Sequence, residues 1–427
     1  MQQRPRAHRR ERLAPRAVPF GQTRWAAASR TRAFLWPPQT LASTPGVSFE
    51  VSTPGDVAQL LSAHREGLPL SGRTITCHGV KTASYVRALR EALLLGLDLT
   101  VYVENDWEVA TVCELAHTHE AKGALSLGLR LMAPFAKEDG SISAEAAKFG
   151  LAFEDAVAAA LHVRKAGLED ALRMVHVHAG SNIQGTRLGQ GRVCLRPSPP
   201  LHEQPQFLVP ADADHMYRAV RSAVELFQEL RCRQGFHGLA GVNLGGGLPA
   251  GAASRPDAPG EGGPPTARGM ARTAAEALAG IREALGPGGV EVVVEAGRAV
   301  AAHHVAIVVE CVGVRGMGTC GGTSPLAMAM CDFSVFSAVP DAWGLGERFL
   351  ALPLCGLHRP VAWSARIADA TCDSDGVLPG TVDFPEGFFD HGDALPPWVG
   401  VFAVGAYQRM LAGRHNNIGP PTLVHFH

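Results

Sequence analysis

Lysine is scarce in this chain: it supplies only five of the 39 basic residues, at Lys81, Lys122, Lys137, Lys148 and Lys165. Chemistry that needs a lysine amine therefore has five candidates, none of them in the first 80 residues. Paired cysteines are missing too. The nine cysteines are scattered, with no C-x-x-C and no zinc-type spacing, which argues for reduced thiols rather than a disulfide framework or a zinc module. No run of about 18 uncharged apolar residues occurs, so no segment is predicted to span a bilayer and no membrane partner is expected. Charge of one sign is not in excess. A net charge of −1 and a pI near 7.0 give no electrostatic basis for nucleic acid as a partner, and a small molecule is expected instead. Acids are nearly absent from residues 1–45, where nine arginines from Arg4 to Arg32 face Glu11 alone. Such a basic leader fits an organelle transit peptide, or unrelated DNA translated ahead of the true gene start. The expected compartment is the cytoplasm or a plastid, and residues 1–45 are not expected to fold.

What is present is apolar and periodic. At 427 residues and 46% apolar composition the chain can bury a large core, and two domains are expected. Short β-branched or apolar runs alternate with longer helical stretches between residues 46 and 304, the pattern of a parallel α/β barrel. Strands are predicted at SFEV, TITCHG, LTVYV, LSLGLRL, MVHVH, AGVNL and VEVVV. Helices such as TASYVRALREALLLG and MYRAVRSAVELFQELR repeat apolar residues at three- and four-residue spacing. Seven strands leave an open parallel edge where eight would close, so one strand on the N-terminal side is expected to be missing. Gly- and Pro-rich stretches at 183–211 and 246–267 read as surface loops. Residues 305–427 show β-like runs with one short helix near 405–412, predicting a mainly β C-terminal domain.

Several groups fall at predicted strand ends, where barrel enzymes place their sites. Gly245, Gly246 and Gly247 follow a strand, and glycine turns cradle phosphate well because the backbone can approach closely; a flexible turn is the plain alternative. In MVHVHAGSN, His176 and His178 share one strand face and Ser181 lies just beyond it. An imidazole there can stack on a pyridine ring and a serine hydroxyl can bind phosphate, although a strand histidine is commonly a satisfied core residue. The last strand ends in EAGR, offering Glu295 as a carboxylate, Gly297 as a turn and Arg298 as an anion-binding fork, or simply a structural ion pair. Cys372 and Asp373, taken alone, read as a small buried side chain and a turn residue.

Taken together, the stretches CHGVKTASYV, KFGL, LEDALRMVHVHAGSN, VNLGGG, EAGRAVAAHHVAIVV, FSVFSAVPDAW, IADATCDSDG and GVFAVGAYQRML resemble the biosynthetic arginine decarboxylases of plants and bacteria, in the family's order over roughly residues 47–427. EAGR followed by AHH, and TCDSDG, favour that family over the ornithine and diaminopimelate enzymes. The resemblance implies an alanine-racemase-type (β/α)8 barrel binding pyridoxal 5′-phosphate (PLP), followed by a β domain. It implies decarboxylation of L-arginine to agmatine, with Mg2+ as a further cofactor. His178 would stack on the PLP ring, Ser181 and Gly245–Gly247 would contact phosphate and substrate, Glu295 would pair with the pyridine nitrogen, and Arg298 and Tyr407 would support the phosphate. Cys372 would act as the catalytic thiol and Asp373 would receive the distal cation of arginine, both from a neighbouring subunit, so a homodimer is implied.

One element of that pattern is missing. PLP enzymes of this group hold the cofactor on a lysine of the first barrel strand, and all five lysines here come later. The absent strand and the absent lysine read as one defect. A shortened insert after AHH and an early end past TLVHFH point the same way, so the sequence is expected to be an incomplete version of the family chain, or a non-catalytic paralogue that acts by binding partners.

Overall fold

The computed structural model describes residues 23–28, 47–118, 123–133, 135–136, 142–143, 149–180, 213–247, 291–317, 323–390, 396–422 and 424. Eight strands close a barrel: β1 (Thr23–Ala28), β2 (Val47–Val51), β3 (Thr74–Cys77), β4 (Asp98–Val103), β5 (Leu125–Leu131), β6 (Leu172–Val177), β7 (Gly241–Asn243) and β8 (Glu291–Val294). Every neighbouring pair is parallel, and β1 closes the ring by pairing with both β8 and β2.

The barrel and the following β sheet agree with the sequence reading, but the strand count needs correction. The first strand is not missing. Thr23–Ala28 fills its place inside the arginine-rich leader, with Ala26 in register with Ser48 and Ala28 with Glu50. A closed barrel leaves no parallel edge unpaired, and a short TRWAAA segment is enough to satisfy the edges of β8 and β2. The lysine stays missing even so, because β1 contains none.

Connecting helices cover the barrel through one apolar stripe each. Helix α1 (Pro54–Arg65) starts at Thr53, whose side chain accepts from the Asp56 amide at 3.1 Å, with Pro54 in the first turn. In α2 (Ala83–Leu94), Thr82 caps the Tyr85 amide, and Tyr85, Leu89, Ala92 and Leu93 turn inward at helical spacing. Leu89 and Leu93 are fully buried, each contributing about 2 kcal/mol of transfer free energy. Tyr85 hydroxyl donates to the Val51 carbonyl at 3.0 Å, tying this helix to β2.

A second sheet carries its own core. Its strands are β9 (Ile307–Met317), β10 (Thr323–Cys331), β11 (Leu350–Pro353), β12 (Val361–Ala368), β13 (Val382–Pro385) and β14 (Trp398–Phe402), in the spatial order β11-β14-β9-β10-β12-β13. Trp363 stacks on Phe384 with centroids 4.0 Å apart, and Phe388 packs edge-on against Phe384. The short helix expected near 405–412 is Gln408–Leu411.

Candidate active site

Strands end together at the C-terminal mouth of the barrel, and the ends of β3, β4, β6, β7 and β8 bring one polar group after another into a buried cluster. His78, just past β3, stacks on Tyr102 of β4 at 4.6 Å and lies 4.4 Å from the His176 ring of β6. Its Nε2 is 2.5 Å from Glu295 Oε1, just past β8. Asn243 of β7 donates from Nδ2 to the same Glu295 oxygen at 2.7 Å and to the Tyr102 hydroxyl at 3.2 Å. On the other side of His78, Nδ1 faces Glu104 Oε1 at 3.6 Å, longer than a hydrogen bond. Glu104 is itself held by Arg130 at 2.8 Å and by the Gly79 amide at 2.6 Å.

The electrostatics follow from that packing. Burial alone would lower the His78 pKa, but Glu295 and Glu104 outweigh it and raise it to about 9. Burial likewise pushes Glu295 up, and the charge of His78 overcomes this and holds the carboxyl well below its usual range. The two shifts agree on a buried imidazolium–carboxylate pair. His176 goes the other way: burial and the neighbouring His78 charge keep it neutral. His178 falls to about 4, through burial and then Arg130.

The glycines form the floor beside this cluster. Gly245 adopts φ +68°, and a Cβ there would meet the Val177 carbonyl oxygen at 2.7 Å. A Cβ on Gly246 would lie 2.8 Å from the Glu295 carbonyl oxygen and 3.2 Å from His178 Nε2. Gly245, Gly246, His178 and Glu295 thus lie together, and Gly247 follows with φ +94°. Ser181 lies outside the described residues. Deeper in the lumen a cavity of about 170 Å³ is lined by Ser48, Thr76, Thr100, Tyr102, Arg173 and Glu291, among others.

Arg298 and Tyr407 also meet, with the guanidinium 4.8 Å from the ring centroid. Gly297 opens the short helix that carries Arg298. Arg298 is an ion-pair partner of Asp341 at 2.8 Å, and Gln408 Nε2 donates to the same carboxylate oxygen at 2.7 Å. Cys372 and Asp373 sit elsewhere on the β unit. Cys372 is exposed with its Sγ 3.6 Å from Asn416 Oδ1, and Asp373 pairs with His415 at 3.2 Å.

Sequence reasoning passed over His78, Tyr102, Asn243, Glu104 and Asp341. The signal for His78 was its place directly after the TITC strand; the others show themselves only through partners more than 20 residues away, or in Asp341 more than 40. Lys81, also just past β3, is not a free amine: it is buried, its Nζ donates to the Tyr102 carbonyl, and it lies 3.7 Å from Glu108. Burial lowers its pKa against the opposing pull of Glu104 and Glu108. Lys165 is exposed at the end of the Phe153–Lys165 helix, and Lys122, Lys137 and Lys148 lie outside the described residues.

A biosynthetic arginine decarboxylase of Alkalilimnicola ehrlichii is 25% identical over 82% of this chain and 66% of its own length. Arginine decarboxylase 2 of Arabidopsis thaliana is 23% identical over 82% of this chain and 56% of its own length. The chain resembles the biosynthetic arginine decarboxylases. It spans between about half and two thirds of the length of these two curated relatives. The crystal structure of a biosynthetic arginine decarboxylase from Campylobacter jejuni superposes with a TM-score of 0.67 at 20% identity, covering 93% of this chain and 72% of that one. A diaminopimelate decarboxylase from M. jannaschi gives a TM-score of 0.65 at 18% identity, with 94% and 79% covered. These structural likenesses show the barrel-plus-sheet fold that the decarboxylases share. No family model matches the chain.

The residues present fit PLP only in part. A glycine floor and a buried carboxylate stand at the mouth, but β1 offers no lysine and Glu295 is already engaged by His78 and Asn243. Among the described residues no helix is long and apolar enough to cross a membrane.

Proposed function

We propose that this chain is an arginine decarboxylase in fold and ancestry, and that its present sequence turns arginine over poorly for want of the first-strand lysine. The lineage's reaction is PLP-dependent conversion of L-arginine to agmatine and carbon dioxide, on the route to putrescine and spermidine. One observation carries the reading: Glu295, His178 and the Gly245–Gly246 floor converge at the barrel mouth in a chain matched over 82% of its length by arginine decarboxylases. In this reading the cofactor ring belongs beside His178 and Glu295. Its phosphate belongs to Ser181, Gly245, Gly246, Gly247, Gly297, Arg298 and Tyr407. Cys372 and Asp373 belong to the site of a second protomer, which suits an exposed Cys372 and a half-buried Asp373 lying away from their own chain's cluster. The barrel unit then ends near His304 and the β unit follows.

Purified chain with PLP and carboxyl-labelled arginine tests this. Carbon dioxide release at least about 100-fold below that of a lysine-bearing relative is expected, with no PLP fixed by borohydride. Ala26→Lys and Ala28→Lys place an amine at the β1 positions in register with Ser48 and Glu50, and one of them is expected to restore PLP fixation. Turnover at the relative's rate by the unaltered chain overturns the proposal. The lysine-free strand also favours a second reading, a non-catalytic partner of an active decarboxylase; it requires that mixing the two changes the active enzyme's rate.

A further inference from the structure

We infer that His78, His176 and Glu295 form a buried site for a divalent transition-metal ion such as Zn2+, a role that goes beyond arginine chemistry and does not depend on it. Each of the three offers one ligand atom, these atoms lie within 4.8 Å of one another, and all three side chains are buried.

His176 points most directly to a ligand. Its Nδ1 lies 3.2 Å from the Asn243 carbonyl oxygen. A carbonyl oxygen can only accept, so Nδ1 carries the proton and Nε2 is left with a bare lone pair. That Nε2 is fully buried and has no hydrogen-bond partner. An unsatisfied buried acceptor is costly, and a cation bound to it removes the cost.

The surrounding shell has the arrangement that metal-bound histidines need, in which the second ring nitrogen is steadied by a carbonyl or carboxylate. For His176 this is the Asn243 carbonyl; His78 Nδ1 faces the Glu104 carboxylate at 3.6 Å, beyond hydrogen-bond distance, so its steadying there is electrostatic only. Glu295 is steadied by the Asn243 side chain. Each ligand therefore stands at a different strand end, and His176 and Glu295 each have a hydrogen-bonded second anchor. To admit an ion, the His78–Glu295 contact must open from 2.5 Å to a little over 3 Å, which metal–ligand bonds of about 2.0–2.1 Å allow. The ion takes the place of the proton on His78 Nε2, and that proton leaves to solvent. Two imidazoles with one carboxylate favour Zn2+ or Co2+ over Mg2+ or Ca2+, which prefer oxygen ligands. Glu295 cannot serve an ion and a pyridinium at once, so metal and PLP exclude each other here.

Chelator-treated full-length chain, without PLP or arginine, is titrated with Co2+ and followed by its visible d–d absorption. One ion per chain is expected, with affinity reduced by at least about 100-fold in His78→Gln, His176→Gln and Glu295→Gln. Alkylation of the exposed thiols of Cys232 and Cys372 is expected to leave the signal intact. Should a variant fail to fold, the unaltered chain still decides: Zn2+ must raise its Tm, because an ion bound only in the folded state stabilises it. No d–d bands and no Tm shift overturn the inference, as does binding that persists in the triple variant or disappears on alkylation. Since no arginine is present, failure of the decarboxylation proposal leaves this result untouched.

Discussion

His78 Nε2 sits 2.5 Å from Glu295 Oε1, joining the ends of two strands that lie 217 residues apart in sequence and are both buried at the barrel mouth. The contact pairs the Glu295 carboxylate with a buried imidazolium. It also sets a pH dependence that can be measured on the metal-free chain.

The folded His78 pKa, about 9, stands above its ordinary value of 6.5, with Glu295, Glu104 and Glu50 outweighing burial. A raised folded pKa gives stability that is complete below about 6.5, declines through the interval, and is gone above about 9. The gap corresponds to a contribution on the order of 3 kcal/mol. Urea unfolding of metal-free chain between pH 6 and 9.5 is expected to show this decline, and His78→Gln to flatten it. An unchanged slope in the variant counts against the buried pair.

Arg298 and Asp341 form a buried ion pair at 2.8 Å, with Gln408 completing the carboxylate. Arg298→Met strands that carboxylate and is expected to cost about 3–5 kcal/mol. Adding Asp341→Asn should recover much of the loss. Chemical denaturation of the two single variants and the double completes the cycle; strict additivity would show that the pair is not coupled.

Gly245 has no room for a side chain and holds a left-handed backbone. Gly245→Ala is expected to destabilise the chain by about 1–3 kcal/mol and to displace the mouth beside His178. Thermal unfolding reads the first effect, and the His178 imidazole resonances in NMR read the second. An alanine variant with native Tm would mean that the Val177 carbonyl yields freely.

Cys372 and Cys232 are exposed, whereas Cys77, Cys113, Cys311 and Cys331 are buried. Brief thiol labelling followed by peptide mapping should modify the first two and spare the other four. If Cys372 serves a partner's site, its labelling rate should fall as the chain is concentrated into a dimer while that of Cys232 stays constant. Equal rates at all concentrations would remove Cys372 from any interface.

Much of the fold was legible because period and composition are local properties. Seven of the eight barrel strands stood out as β-branched or apolar runs, and Gly245, Gly246 and Glu295 could be placed at strand ends before their contacts were known. The eighth was hidden because TRWAAA has neither alternation nor a β-branched core, and its arginine-rich surroundings look like a leader. Its strand character comes from the two parallel edges it closes, a demand that no local window contains.

The sequence by itself determined the class of the fold, the order of its units, the glycine floor and the absence of a lysine from the first 80 residues. Tertiary structure alone decided which groups meet. It gave Glu295 to His78 and Asn243, paired Arg298 with Asp341, and left His176 Nε2 buried without a partner. The physical reason is closure: a parallel barrel gathers the C-terminal ends of strands far apart in sequence into one water-poor mouth. There, charge and hydrogen bonding depend on what neighbouring strands present.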